Sequence, residues 1–353
     1  MVSLAQSENN WATLARTSIR ARRAKNITLT LFLAVVSVPV LVPYIWMVMI
    51  AFTARTGDAN STSLWPALAI ILVGLAGYAV AAWLLPPRRK RLAIVAAVVL
   101  VLGLVFVWLG DDLHLRNFRF MVNPNIIEDT KGKATVGGQF PWVWSAFVNS
   151  LILAVTQTVI VVTVSTLSAY YLSRFSFRGR AGFLQSLLIL QAFPAITLVI
   201  PIFLIVYWVG LLNTLSAPIL VITTLELPFF IFIMKGFFDA VPWDIEMSAM
   251  ADGASRRQAF WLVVLPQVRG GMIAIGVFAF IKGWEEYVFV NGLRTGNSYW
   301  VMSTYLYYVR EDVMGVDYGL VAAVSLLYVL PALLLYLFAQ KYLTQMTVGG
   351  IKG

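Results

Sequence analysis

The chain has 353 residues, 60% of them hydrophobic and 12% charged, with a mean hydropathy of +0.83. Ordinary soluble domains carry about 45–50% apolar and about 25% charged residues, so this composition excludes one and implies an all-α, polytopic helical membrane protein. With no cysteine and a single histidine, disulfides, thiolate chemistry and a histidine metal centre are excluded, while basic cytoplasmic loops account for the net charge of +10 without nucleic acid.

Residues 1–26 form a polar segment carrying Arg16, Arg20, Arg22, Arg23 and Lys25. The apolar run Ile27–Ile50 follows, and at about two dozen residues it exceeds a signal-peptide core of ~7–15, so it reads as a retained anchor. Further runs cover Trp65–Leu85, Leu92–Leu109, Trp144–Leu172, Phe183–Val209, Ser216–Phe238, Gly271–Leu293 and Tyr318–Gln340. Each is near the ~20 residues a bilayer demands, which gives about eight transmembrane helices. Pro194 and Pro201 are expected to bend the Phe183–Val209 span. Residues 27–141 also include a polar loop, Gly110–Pro141, that is either filler or a surface for an extracytoplasmic partner.

Orientation follows from charge. With the N-terminus inside, the cytoplasmic loops hold Arg88–Arg91, then Arg174, Arg178 and Arg180, then Arg256, Arg257 and Arg269, and finally Lys341 and Lys352. On the other side, Asp111, Asp112, Glu128 and Asp129 offset Arg116, Arg119, Lys131 and Lys133. The asymmetry predicts both termini in the cytoplasm.

One cytoplasmic stretch, Asp239–Pro266, reads like the surface of a soluble helical protein. Pro242 suits a helix start, Asp244 and Glu246 face the positive end of the helix dipole, and Met247, Met250, Ala251 and Ala254 recur at helical spacing. Ser248, Ala249 and Gly253 keep the surface small. Gly253 is expected to end this helix, and Ser255 with Gln258 is a capping box that starts a second, which Pro266 is expected to stop. The segment is either an amphipathic connector resting on lipid or a docking knob for another protein.

Glu246–Pro266 resembles the cytoplasmic coupling motif of permease subunits in binding-protein-dependent ABC importers, where Glu-Ala-Ala precedes Asp-Gly and a later Leu-Pro. Ala249, Asp252, Gly253, Ala254, Leu265 and Pro266 stand in that register, whereas Met247 and Ser248 replace glutamate and alanine and Glu246 lies one position early. Asn149-Ser150-Leu151, Ala169–Phe175, Gly210–Thr214, Leu227-Pro228-Phe229 and Lys235–Phe238 are similar to the carbohydrate-uptake branch, and Gly349–Gly353 to the tail of its maltose-type subunit. The resemblance implies a type I importer permease core over 142–345, with a coupling helix in 239–266 and a cytoplasmic tail at 346–353. It further implies that Glu246, Ser248, Ala249, Asp252, Gly253, Ala254, Leu265 and Pro266 couple to an ATPase, and that Gly349, Gly350 and Lys352 contact it. The implied partners are a second permease subunit, an ATPase dimer and an extracytoplasmic sugar-binding protein, and the implied cargo is a maltose- or maltodextrin-like oligosaccharide. That family has six spans, and 52–141 is unmatched.

No phosphate-cradling G-x-x-x-x-G-K-[ST] occurs, so the chain is not expected to hydrolyse ATP. It is expected to bind no cofactor or metal and to hold no catalytic residue, ATP and magnesium belonging to the partner. Lys282, Glu285 and Glu286 flank Trp284 beside Tyr287, in a stretch similar to the family's Trp-Asn-Glu-Phe pattern. Lys282 and Glu286 are four apart on one helix face. Charges at membrane depth either neutralise one another and lock packing or face a water-filled path, where Trp284 or Tyr287 would stack on sugar and Glu286 would accept hydroxyl hydrogen bonds. Glu226, beside Pro228, is a second candidate for the path. The competing reading is an ion-gradient-driven secondary carrier using Lys282, Glu285 and Glu286 as a relay.

Overall fold

The computed structural model describes residues 25, 28–29, 32, 36–37, 39–53, 64–84, 87–110, 112–123, 141–296, 298–310 and 317–349. No strand occurs among the described residues. Among the described residues three helices are individually long and apolar enough to cross a membrane, or up to five if each of two bent helix pairs is one span. The chain divides into two compact units, one of residues 1–118 with 317–326, the other of 119–316 with 327–353.

The first unit contains α1 (Pro39–Thr53), α2 (Leu64–Leu84) and α3 (Pro87–Leu109). The two apolar runs expected around Arg88–Arg91 are thus helices. Pro87 opens α3 at its first position, where a missing N–H leaves nothing unsatisfied. Met49, Ala67 and Leu68 form the core of this unit. A Cβ on Gly74 would lie 2.2 Å from the Val101 side chain, so the Val101 side chain of α3 packs directly on the α2 backbone there. Beyond α3, Asn117 donates its side-chain amide to Ala51 O at 2.9 Å and the His114 amide donates to Phe52 O at 2.8 Å. Most of the loop 124–140 lies outside the described residues, as do residues 1–24 of the basic N-terminal segment.

The second unit is built along α4 (Val143–Arg174), 32 residues without glycine or proline. Ala146, Ser150, Leu153, Ala154, Gln157 and Val161 are buried at helical spacing. Against α4 lie α7 (Ser216–Asp239) and α11 (Arg269–Glu285). The α11 crossing is close, because a Cβ on Gly283 would lie 2.0 Å from Gln157 Oε1 and 3.0 Å from Ala154 Cα.

The expected Phe183–Val209 span is two helices, α5 (Arg180–Ala192) and α6 (Val199–Trp208), with an 88° bend between them. Phe193, held extended at φ −77° and ψ 127° ahead of Pro194, explains the break. Pro201 contributes no bend, contrary to expectation. It is the third residue of α6, in the first turn, where an N–H would lack an intrahelical partner anyway.

The Asp239–Pro266 stretch folds into α8 (Trp243–Ala251), α9 (Arg256–Gln258), a π turn (Ala259–Val264) and α10 (Leu265–Gln267). The second helix ends at Gln267, one residue beyond Pro266, close to where it was expected to stop. The Pro266 ring lacks the N–H for the Leu262 carbonyl and would crowd it, and the π turn just ahead absorbs the mismatch. The chain then bends by 70° into α11 and the short α12 (Val288–Gly292). α13 (Met302–Arg310) and α14 (Tyr318–Gly349) complete the described helices.

Gly283→Ala is expected to lower the thermal unfolding temperature of the detergent-purified protein, because overpacking a tight crossing costs about 1–3 kcal/mol. Gly276→Ala, whose new Cβ would meet Val162 at an ordinary 3.5 Å, is expected to leave it nearly unchanged.

Candidate functional site

The turns of the Asp239–Pro266 segment form as local chemistry dictates. Gly253 adopts φ +96°, a region open to glycine at little cost, and so ends α8 just after Asp252. Ser255 accepts from the Gln258 amide, and the Gln258 side chain accepts from the Ser255 amide at 2.8 Å, closing the capping box.

The face that α8 buries is not the one its apolar spacing indicated. Glu246 is the only fully buried residue of the helix, whereas Met247 is 44% exposed. A lone carboxylate out of water is costly, and this one has a countercharge and one hydrogen bond. Arg174 Nε, on the last turn of α4, lies 3.1 Å from Glu246 Oε2 as an ion pair, and Tyr170 OH donates to Oε1 at 2.6 Å. Arg174 Nη2 also donates to Val241 O at 2.9 Å, and its guanidinium lies 5.3 Å from the Trp243 ring centre. Next to it, Ser173 donates to Asp239 Oδ1 at 2.7 Å, and Lys235 pairs with the other oxygen of Asp239. Phe238, Val241, Phe260 and Val264 fill the space beneath.

Glu246 therefore offers no surface to a partner, which corrects its expected place among the docking contacts. The exposed face belongs to Met247, Ser248, Asp252, Gly253 and Pro266, with Ala249, Ala254 and Leu265 half-buried behind it. Of the tail residues, Gly349 ends α14, while Gly350 and Lys352 lie outside the described residues.

The polar cluster is also rearranged. α11 ends at Glu285 and Glu286 is extended, so Lys282 and Glu286 do not share a helix face or bridge. Glu286 instead caps α12, accepting from the Phe289 amide at 2.8 Å, and its own carbonyl accepts from Ser303 Oγ at 2.6 Å. Lys282 reaches across to Glu226 on α7, at 4.0 Å, with its own side chain well exposed. Glu226 is half-buried and Glu285 exposed. Trp284 is only 1% exposed, donates Nε1 to Tyr328 O at 2.9 Å and packs on Phe280 and Phe147. It is a packing residue and is withdrawn as a sugar-stacking candidate. Tyr287, half-buried, packs on Tyr307 with ring centres 4.6 Å apart.

A contact that sequence reading missed lies at the other end of the unit. Asn213, in the left-handed region at φ 64°, accepts from the Thr295 amide at 2.7 Å and donates to Thr295 Oγ1 at 2.8 Å. Positive φ in a non-glycine residue favours asparagine, which was the available signal.

Together these features define a class: a polytopic helical membrane protein with a compact helical knob fastened at one end of its main span. Residues 161–345, just over half of the chain, match the family "Binding-protein-dependent transport system inner membrane component", and the chain belongs to that family. It is 32% identical over 217 residues to an inner membrane ABC transporter permease protein of Escherichia coli (strain K12), covering 61% of this chain and 76% of that one. It is 31% identical over 281 residues to a diacetylchitobiose uptake system permease protein of Streptomyces coelicolor, covering 73% and 96%. A trehalose transport system permease protein of Mycobacterium tuberculosis is 29% identical, over 59% and 77%. A solved bacterial ABC transporter involved in alginate import shares the fold with a TM-score of 0.50 at 20% identity, over 73% of this chain and 99% of that one. The chain is thus an inner-membrane permease subunit and not an enzyme.

Glu286→Gln, which keeps an oxygen for the Phe289 amide, is expected to retain wild-type thermal stability in detergent. Glu286→Ala removes the cap and is expected to cost about 1 kcal/mol, read as a lower unfolding temperature.

Proposed function

We propose that this chain forms half of the translocation pathway of an ATP-driven sugar importer and transmits to it the closure of a separate ATPase. The observation that carries the reading is the two-faced docking segment: one face is locked to α4 through Glu246, and the other presents Met247, Ser248 and Asp252 to a partner. A short rigid helix held in a partner's groove moves with that groove. The partners are a second permease subunit, an ATPase dimer that binds ATP and magnesium, and an extracytoplasmic sugar-binding protein. Both termini and the docking segment lie in the cytoplasm in this reading, which the basic loops support, and by resemblance Gly349, Gly350 and Lys352 are the tail residues that contact the ATPase.

The cargo is an oligosaccharide, of the maltose or maltodextrin kind by resemblance. Relatives named for diacetylchitobiose, trehalose and galactooligosaccharides support the sugar class. Glu226, Lys282, Glu285, Glu286 and Tyr287 remain as the pathway candidates of this subunit. Membership of the binding-protein-dependent family leaves the ion-gradient carrier without support.

Purification from native membranes by a tag on this chain is expected to bring down a nucleotide-hydrolysing subunit; its absence would sink the reading. Gly253→Pro, which forbids φ +96°, is expected to leave the protein in the membrane and abolish both sugar uptake and stimulation of ATP hydrolysis in proteoliposomes.

A further inference from the structure

The docking segment is joined by the chain itself to α7 on one side and, through the π turn, to α11 on the other. Both routes are interrupted: α7 contains Pro228, and the path to α11 crosses the π turn and a 70° bend. A third connection is non-covalent and runs to a helix with no interruption. α4 spans roughly 48 Å at 1.5 Å per residue, with no proline or glycine in its 32 residues. Its last turn holds Glu246 through Arg174 and Tyr170. In its first two turns, Asn149 donates to Trp300 O at 2.9 Å and Ser150 Oγ accepts from the Met302 amide at 2.7 Å. One stiff rod therefore ties the docking segment to the loop ahead of α13 at the opposite end of the unit.

We propose that Glu246, Arg174 and Tyr170 form a latch that makes α4 the lever carrying movement of the docking segment across the membrane to the Trp300–Met302 loop. The proposal rests on the docking reading above and adds which residues transmit and along which helix. The side chains of Arg174 and Glu246 are 5% and 0% exposed. Pulling them apart would leave two bare charges out of water, so the joint stays closed while the segment moves. The three are positioning residues: they touch neither sugar nor nucleotide and act through α4.

The absence of cysteine permits a direct test in the full complex. Ser145→Cys places a single thiol on an exposed position of the first turn of α4, far from the latch. Its rate of reaction with a membrane-impermeant maleimide is measured in reconstituted complex, with and without ATP plus vanadate. With the latch intact, trapping is expected to change the rate at least threefold. In Arg174→Met, or in Glu246→Gln where Arg174→Met fails to accumulate, the change is expected to fall below 1.5-fold, with the amount of co-purified ATPase within twofold of wild type. A response that persists in the assembled variant, or a rate that ignores nucleotide when the latch is intact, overturns the proposal. Failure of any ATPase to co-purify with the unmodified chain would instead defeat the docking reading itself.

Discussion

A single carboxylate fixes how the helical knob is put together with the end of α4. Glu246 has no exposed surface, and a charge so placed persists only if its environment supplies countercharge and donors. Arg174 and Tyr170 supply both from the end of α4, and Arg174 simultaneously holds the Val241 carbonyl where α8 is about to begin. The net stabilisation from such a pair is modest, because desolvating both charges offsets most of their attraction. What the pair specifies is position. It sets which way α8 turns, and so which residues are left facing outward.

The same economy shapes the helices inside the membrane. Backbone groups there must be satisfied within the protein, so breaks occur where side chains or neighbouring helices take over. At the end of α11, the Glu286 side chain accepts the Phe289 amide and its carbonyl accepts from Ser303. At the α4–α11 crossing the backbones come together because residue 283 is glycine. Trp284, next in the chain, buries its ring and gives its N–H to the Tyr328 carbonyl. The residues that looked most like a sugar platform in sequence thus include one that serves the packing of three helices.

Much of this was legible in advance where the cause is local. The left-handed Gly253, the Ser255–Gln258 box and the extended Phe193 before Pro194 each follow from the conformational limits of one or two residues. The family was readable by resemblance for the same reason, since its motifs are contiguous patterns. Pro201 bends nothing because a proline's effect depends on its place in the turn, which the sequence places only to within a few residues. An asparagine at 213 suits a left-handed turn, but its bond to Thr295 spans 82 residues, and no local pattern names that partner.

From the sequence alone came the class, the helical runs and the site of the knob, because hydrophobic length and polar interruption are sums over neighbouring residues. Tertiary structure alone decided that Glu246 turns inward while Met247 faces out, that Lys282 meets Glu226 and not Glu286, and that Trp284 is core. Each of those choices depends on a partner dozens of residues away. A helical period shows which residues share a face, but only the neighbour that packs against the helix settles which face is buried.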